Sequence, residues 1–211
     1  MKNEKQNILV AGANGTTGRI IIELLKDSDV YRPIAMVRKQ EQKDRFEKEN
    51  VSVVLADLEQ DLNHAVTNAD KVIFAAGSKG ENVIGVDQEG AKRLIDASKN
   101  AGAKKFIMLS TMGADDPSVS DTIEDYLRAK QNADNYLKDS GLNYTIVRPG
   151  SLTDKEGTGK IQLKEKIENH GSITRSDVAE TLVKALKDDV KHNQVFEILA
   201  GETLIENALT Q

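Results

Sequence analysis

The run Ile8-Leu9-Val10-Ala11-Gly12-Ala13-Asn14-Gly15-Thr16-Thr17-Gly18 decides how the rest of this chain is read. An apolar stretch of strand length leads into glycines at 12, 15 and 18, and then into Ile20, Ile21, Ile22, Leu24 and Leu25. A buried strand, a glycine-spaced turn and an apolar helix in that order form a dinucleotide-binding unit. Gly12 lets the chain turn tightly off the strand, Gly15 lets backbone approach a pyrophosphate without a Cβ in the way, and Gly18 lets the helix pack closely. Asn14, Thr16 and Thr17 lie in the same turn and helix start. There the free N–H groups and the positive end of the helix dipole attract phosphate.

Regular alternation continues outward from that unit. Apolar strands are expected at Asn7–Ala11, Pro33–Val37, Val51–Leu55, Lys71–Ala75, Lys105–Ser110, Tyr144–Arg148 and Gln194–Leu199. Helices are expected at Thr16–Lys26, Glu41–Glu49, Leu62–Asn68, Val86–Asn100, Asp121–Ser140 and Ser176–Lys187. Gly102 and Gly141 follow two of these helices, and Ser176-Asp177 opens a third. Continuous apolar strands separated by helices predict a doubly wound parallel sheet: a Rossmann-like, three-layer αβα domain with a small C-terminal elaboration. A length of 211 residues suits a single domain. The segment 150–175 departs from the rhythm. It is polar and glycine-bearing, and Lys160-Ile161-Gln162-Leu163-Lys164 alternates like an edge strand. It reads either as a small flap beside the sheet's C-terminal edge or as a surface loop. Gly157-Thr158-Gly159-Lys160 is not a phosphate loop, because Ile161 stands where Ser or Thr is needed.

Composition narrows the function classes. The chain has 38% hydrophobic and 30% charged residues, enough for a core. No apolar run nears the roughly 20 residues of a membrane span, and Met1–Asn7 has no signal-peptide core, so a cytoplasmic location is expected. The absence of cysteine excludes disulfides and thiolate chemistry. A formal charge of −5 argues against a general nucleic-acid binder. His64, His170 and His192 lie far apart without metal-ligand spacing, so no metal is expected. The expected partner is a small molecule, with neither nucleic acid nor membrane involved.

The second strand ends in Met36-Val37-Arg38-Lys39, where an NAD binder usually carries a carboxylate for the ribose 2′-OH. Arg38 can fork onto a 2′-phosphate and Lys39 adds charge, so NADP is favoured over NAD.

Over nearly its whole length the chain resembles the atypical branch of the short-chain dehydrogenase/reductase superfamily, near the NmrA-like proteins and the flavin/biliverdin reductase group. The resemblance rests on Gly12–Gly18, Asp57-Leu58, Ala75-Ala76-Gly77, Phe106–Thr111, Tyr126–Lys130, Tyr144–Gly150 and Ile173–Ala179. It implies that Asp57 accepts from the adenine amino group and that Leu58 covers the ring, although an Asp at a strand end also caps the following turn. It implies that Ala75-Ala76-Gly77 lets backbone approach the nicotinamide ribose, and that Arg148-Pro149-Gly150 passes the nicotinamide and opens the substrate pocket. It also implies a catalytic group of Ser110 or Thr111 with Tyr126 and Lys130. Tyr and Lys four apart share a helix face. A lysine ammonium near the phenol favours phenolate; the same Lys130 could also hold the nicotinamide ribose hydroxyls as part of the cofactor site, and a strand hydroxyl can orient a carbonyl. Met112 stands where many relatives have another small hydroxyl residue. The expected function is an NADP-dependent oxidoreductase of a small carbonyl, quinone or conjugated compound. A non-catalytic NADP sensor is the alternative. A sugar-nucleotide epimerase or dehydratase is disfavoured by the little sequence after Arg175 for a substrate domain.

Overall fold

In the computed structural model, which describes residues 4–78 and 80–210, Ile8 to Ala11 are wholly buried inside strand β1 (Gln6–Ala11). From β1 the chain runs through α1 (Thr16–Lys26), β2 (Tyr31–Val37), α2 (Gln40–Lys48), β3 (Ser52–Leu55), α3 (Asn63–Val66) and β4 (Lys71–Phe74). A π-helical turn (Val83–Gly90) then leads into α4 (Ala91–Asn100), β5 (Lys105–Leu109), α5 (Glu124–Asp139) and β6 (Tyr144–Pro149). The last part holds β7 (Ser151–Thr153), β8 (Lys160–Lys164), β9 (Ser172–Thr174), α6 (Arg175–Lys184), β10 (Gln194–Ala200), β11 (Thr203–Leu204) and α7 (Ile205–Thr210).

Side chains alternate across β1, and so does the core. Ile8 and Val10 join Ile21, Ile22 and Leu25 of α1 and Val178 and Leu182 of α6 on one face. Leu9 and Ala11 join Leu94 and Ile95 of α4 and Leu137 of α5 on the other. A strand that is apolar on both sides needs a helical layer on each, which is why the three-layer architecture follows from the apolar runs. The main sheet is ordered β3-β2-β1-β4-β5-β6-β10-β8-β11. Its first seven strands are parallel and correspond to the seven expected from sequence. The strand order reverses between β1 and β4, so a ligand crevice belongs outside the carboxyl ends of those two strands. Among the described residues no helix is long and apolar enough to cross a membrane.

Two stretches differ from expectation. The helix expected to start at Val86 is preceded by the π-helical turn, where the Asn82 side chain accepts from Gly85 N. Gly90 lets that turn lie against Leu58, whose Cβ would be 2.8 Å from any Cβ placed at position 90. In segment 150–175, β8 is not an outlying edge. It enters the main sheet antiparallel to β10, with β11 outside it, while β7 and β9 form a separate parallel pair. The Asp177 carboxylate binds the segment to the start of α6 by accepting from Thr158 N and Gly159 N.

At the opposite end of the sheet, Lys71 and Lys105 stand in register on β4 and β5, each about 1% exposed. Lys71 Nζ donates to Leu186 O at 2.7 Å and lies 2.7 Å from Asp188 Oδ1. Lys105 Nζ donates to Lys187 O and Val190 O at 2.7 and 2.6 Å. Two buried ammoniums thus hold the carbonyls that follow α6, where cations suit a helix end. Burial, reinforced by the Lys71 charge, lowers the Lys105 pKa from 10.5 to about 8. Between those values the unfolded chain binds the extra proton, so folding stability rises with pH across that window. Denaturant titrations should show wild type gaining on the order of 1–3 kcal/mol over Lys105→Met between about pH 8 and pH 10.5. A gap that stays constant with pH would show that Lys105 keeps an ordinary proton.

Candidate functional site

A cleft of about 490 Å³ opens where the strand order reverses, lined by the glycine turn, Arg38, Asp57, Leu58 and Ala75–Ser78. Gly12 has φ +85°, and a Cβ there would sit 2.6 Å from Ala75 O and Ala76 N. Only glycine can make this turn. At Gly18 a Cβ would lie 2.1 Å from Gly12 O, so the helix start and the turn are in backbone contact. Gly15 precedes α1 with no capping side chain, and the first turn of α1 holds no acidic residue. The N–H groups of Thr16, Thr17 and Gly18 therefore face the cleft end of the helix with no partner inside it. A backbone cradle that a side chain would fill, at an uncapped helix N-terminus, fits a pyrophosphate.

Arg38 and Lys39 are exposed at the end of β2. Lys39 lies 3.8 Å from Glu41, and Arg38 has no ion-pair partner among the described residues. Two further cations, which the sequence reading missed, meet at Asn14 in the cleft lining. Arg19 of α1 and Arg45 of α2 both donate to Asn14 Oδ1, at 2.7 and 3.2 Å. Asp57 Oδ1 accepts from Glu59 N at 3.0 Å, so the carboxylate caps the turn after β3 while also lining the cleft. Leu58 is buried against Gly90.

Beyond the cleft lies a buried polar cluster on the α5 side. Lys130 is 3% exposed, and its Nζ sits 5.7 Å from the Tyr126 ring centroid and 5.9 Å from that of Phe74. Asp87 of the π-helical turn places Oδ1 3.2 Å from the same nitrogen. Burial pushes the Lys130 pKa down, but the Tyr126 oxygen and the Asp87 and Asp134 carboxylates hold it above the ordinary lysine value. Tyr126 is half-buried, and its hydroxyl has no hydrogen-bond partner among the described residues.

The two candidate hydroxyls part company. Ser110 is 4% exposed and donates to Asp134 Oδ2 at 2.9 Å. Thr111 is half-buried, with no side-chain hydrogen bond among the described residues. Arg148 is equally committed, since its Nε and Nη2 donate to the same Asp134 oxygen at 3.0 and 2.9 Å. Burial raises the Asp134 pKa against the pull of Arg148 and Ser110. Pro149 is buried at the end of β6. Gly150 is forced by packing, because a Cβ there would lie 2.4 Å from Leu199 and 2.5 Å from Gly171 O. The Arg148–Gly150 segment thus serves packing and an internal ion pair, and it does not line the cleft.

The chain brings together the glycine turn, Arg38, Asp57, Leu58 and Ala75–Gly77 at the cleft, and Ser110, Tyr126, Lys130 and Arg148 on the α5 side. No group of three or more metal-ligating residues occurs among the described residues.

Residues 12–189 match a family model described as NAD(P)H-binding. A Bacillus subtilis protein named an uncharacterised sugar epimerase, YhfK, is 37% identical over 96% of this chain and 98% of its own length. A solved structure from Bacillus halodurans, provisionally named an NAD-dependent epimerase/dehydratase, is 38% identical with a TM-score of 0.93, covering 98% of this chain and 99% of its own. The sanguinarine reductase of Eschscholzia californica is 27% identical over 93% of this chain and 89% of its own length.

Proposed function

This chain belongs to the NAD(P)H-binding family, in the atypical short-chain dehydrogenase/reductase branch, and from that premise we propose that it is an NADP-dependent reductase of a small carbonyl, quinone or conjugated compound. NADPH supplies the hydride when bound. The protein's part is to hold, orient and protonate.

The Gly12–Gly18 turn and the first N–H groups of α1 hold the pyrophosphate, while Arg38, with Arg19 and Arg45 at Asn14, draws the 2′-phosphate. Asp57 and Leu58 take the adenine, and Ala75-Ala76-Gly77 leaves room for the second ribose. At the reacting end, the Tyr126 hydroxyl gives its proton to the substrate atom that gains negative charge. The Lys130 ammonium beside the ring stabilises the phenolate left behind, and solvent returns the proton. Thr111, whose hydroxyl is uncommitted, orients the substrate oxygen; Ser110 acts instead through Asp134 as part of the wall.

The observation that carries this reading is a phenol with no hydrogen-bond partner among the described residues, set against a buried, charged lysine on the helix that follows β5. The name of the Eschscholzia californica relative, a sanguinarine reductase, supports the reductase reading. The names of the two Bacillus relatives favour a second reading, in which the oxidised cofactor borrows a hydride from a sugar nucleotide and returns it. A panel of quinones and conjugated carbonyl compounds with NADPH, and of sugar nucleotides with NADP, separates the two. Net NADPH oxidation with quinones or conjugated carbonyl compounds supports the reductase. An isomerised sugar with the cofactor unchanged supports the epimerase. Binding without turnover of any compound leaves a sensor.

Cofactor choice has its own test. Arg38→Ala should cost on the order of 1.5–3 kcal/mol of NADP binding and leave NAD nearly unchanged. Calorimetry giving wild type equal affinity for both dinucleotides would reject the role of Arg38.

A further inference from the structure

The buried pair of Asp87 and Lys130 joins the two halves of the site. Asp87 is 1% exposed, in the π-helical turn between β4 and α4. Its Oδ2 accepts from the backbone N–H and the hydroxyl of Ser78, at 2.9 and 2.7 Å. Its Oδ1 forms an ion pair with Lys130 Nζ at 3.2 Å and has no hydrogen-bond partner among the described residues. Ser78 lines the dinucleotide cleft. The exit of β4 is shaped around this carboxylate, since a Cβ at Gly77 would come within 3.2 Å of Asp87 Oδ1.

A buried ion pair is a poor way to gain stability, because desolvating both charges offsets most of their attraction. One placed between a cofactor cleft and a tyrosine therefore suggests a functional reason. The turn's geometry points the same way. A π-helical turn takes an extra residue and re-aims the side chains after it, and such turns recur at functional sites. Here it carries Asp87 inward under α5.

We infer that Asp87 is the positioning residue of this site: its ion pair keeps Lys130 charged and fixed beside Tyr126, and its bonds to Ser78 tie that lysine to the cleft wall. The inference rests on the reading of Lys130 as a member of the cofactor-facing group. The groups facing Lys130 are Asp87 from the π-helical turn, Phe74 from β4, and Tyr126 and Asp134 from its own helix. Asp134 is already engaged by Arg148 through two hydrogen bonds. Asp87 is thus the carboxylate in direct contact with the ammonium. Without its charge, burial dominates and Lys130 loses its proton far more readily.

The test reads Lys130 itself and cofactor affinity together. In intact wild type, NMR of the Lys130 Nζ should show it titrating above the ordinary lysine value; titration below that value would overturn the inference without any variant. Asp87→Asn keeps the shape and the acceptor for Ser78 but removes the charge. It should bring the Lys130 titration down by about 2–4 pH units. NADPH affinity, followed by calorimetry against pH, should then fall by about tenfold or more at pH values where wild type is still flat. In a Lys130→Met background, Asp87→Asn should have no further effect on affinity, and the double variant, lacking both charges, should fold. If Lys130→Met weakens NADPH binding but Asp87→Asn neither weakens it nor shifts the titration, Asp87 is not the positioning residue. If Lys130→Met binds NADPH and turns over like wild type, the reading of Lys130 beneath the inference is what fails.

Discussion

Tyr126→Phe should lower reductase turnover by about 10²–10⁴ while leaving NADPH affinity within about twofold of wild type. The reasoning is local. The Tyr126 hydroxyl makes no hydrogen bond among the described residues, so its loss breaks none inside the fold. The ring keeps its place over Lys130. What disappears is the proton available as charge develops on the substrate. Affinity is spared because the cleft residues that hold the dinucleotide lie on β1, β2, β3 and the β4 exit, and because Lys130, the cofactor-facing residue of α5, is left in place. Steady-state kinetics with matched calorimetry decide it. A Phe variant with full turnover would mean that the proton comes from solvent and that the substrate is held by position alone.

Gly15→Val should abolish measurable NADPH binding, a loss of about a hundredfold or more, with the native circular dichroism spectrum retained. Gly15 has φ −73°, ordinary for any residue. The nearest atom to an added Cβ is Gly12 O at 3.2 Å, a tight contact that small shifts relieve. The backbone therefore tolerates valine. The cleft does not, because the branched side chain stands where backbone N–H groups must meet phosphate. The same substitution at Gly12 or Gly18 would be a poor test, since a Cβ there collides with backbone and the fold itself suffers. A Gly15→Val variant that folds and binds NADPH normally would place the phosphates elsewhere.

Much of the architecture is legible in the sequence because it follows from local periodicity. Strands apolar on both faces, such as Val72-Ile73-Phe74 and Phe106-Ile107-Met108, leave few alternatives to a covered parallel sheet. Gly12 and Gly18 are legible too, since their reason is steric and short-range. The polar wiring of the site is not. Asp87 meets Lys130 and Asp134 meets Arg148 only after helices dock on strands, and no spacing rule announces such pairs. Arg148 is the clearest case, for a strand-end arginine expected beside the cofactor turns inward to Asp134. Arg19 and Arg45 reach Asn14 from two helices, and nothing near either residue signals it. The π-helical turn has no period to detect. One signal was present but unread: Lys71 and Lys105 open two wholly apolar strands at equivalent positions, a pattern that marks lysines buried for a purpose.

The proposed reaction moves hydride from NADPH to a small acceptor and leaves it there. Following the label from NADPH deuterated at the transferred position tests that directly, with product and cofactor analysed after turnover of the best substrate in the panel. Deuterium is expected on carbon of the reduced product, or an equivalent yield of reduced quinone, matched mole for mole by NADP. An isomerised product with unchanged NADPH, or NADPH bound tightly and recovered intact with every compound, would contradict it.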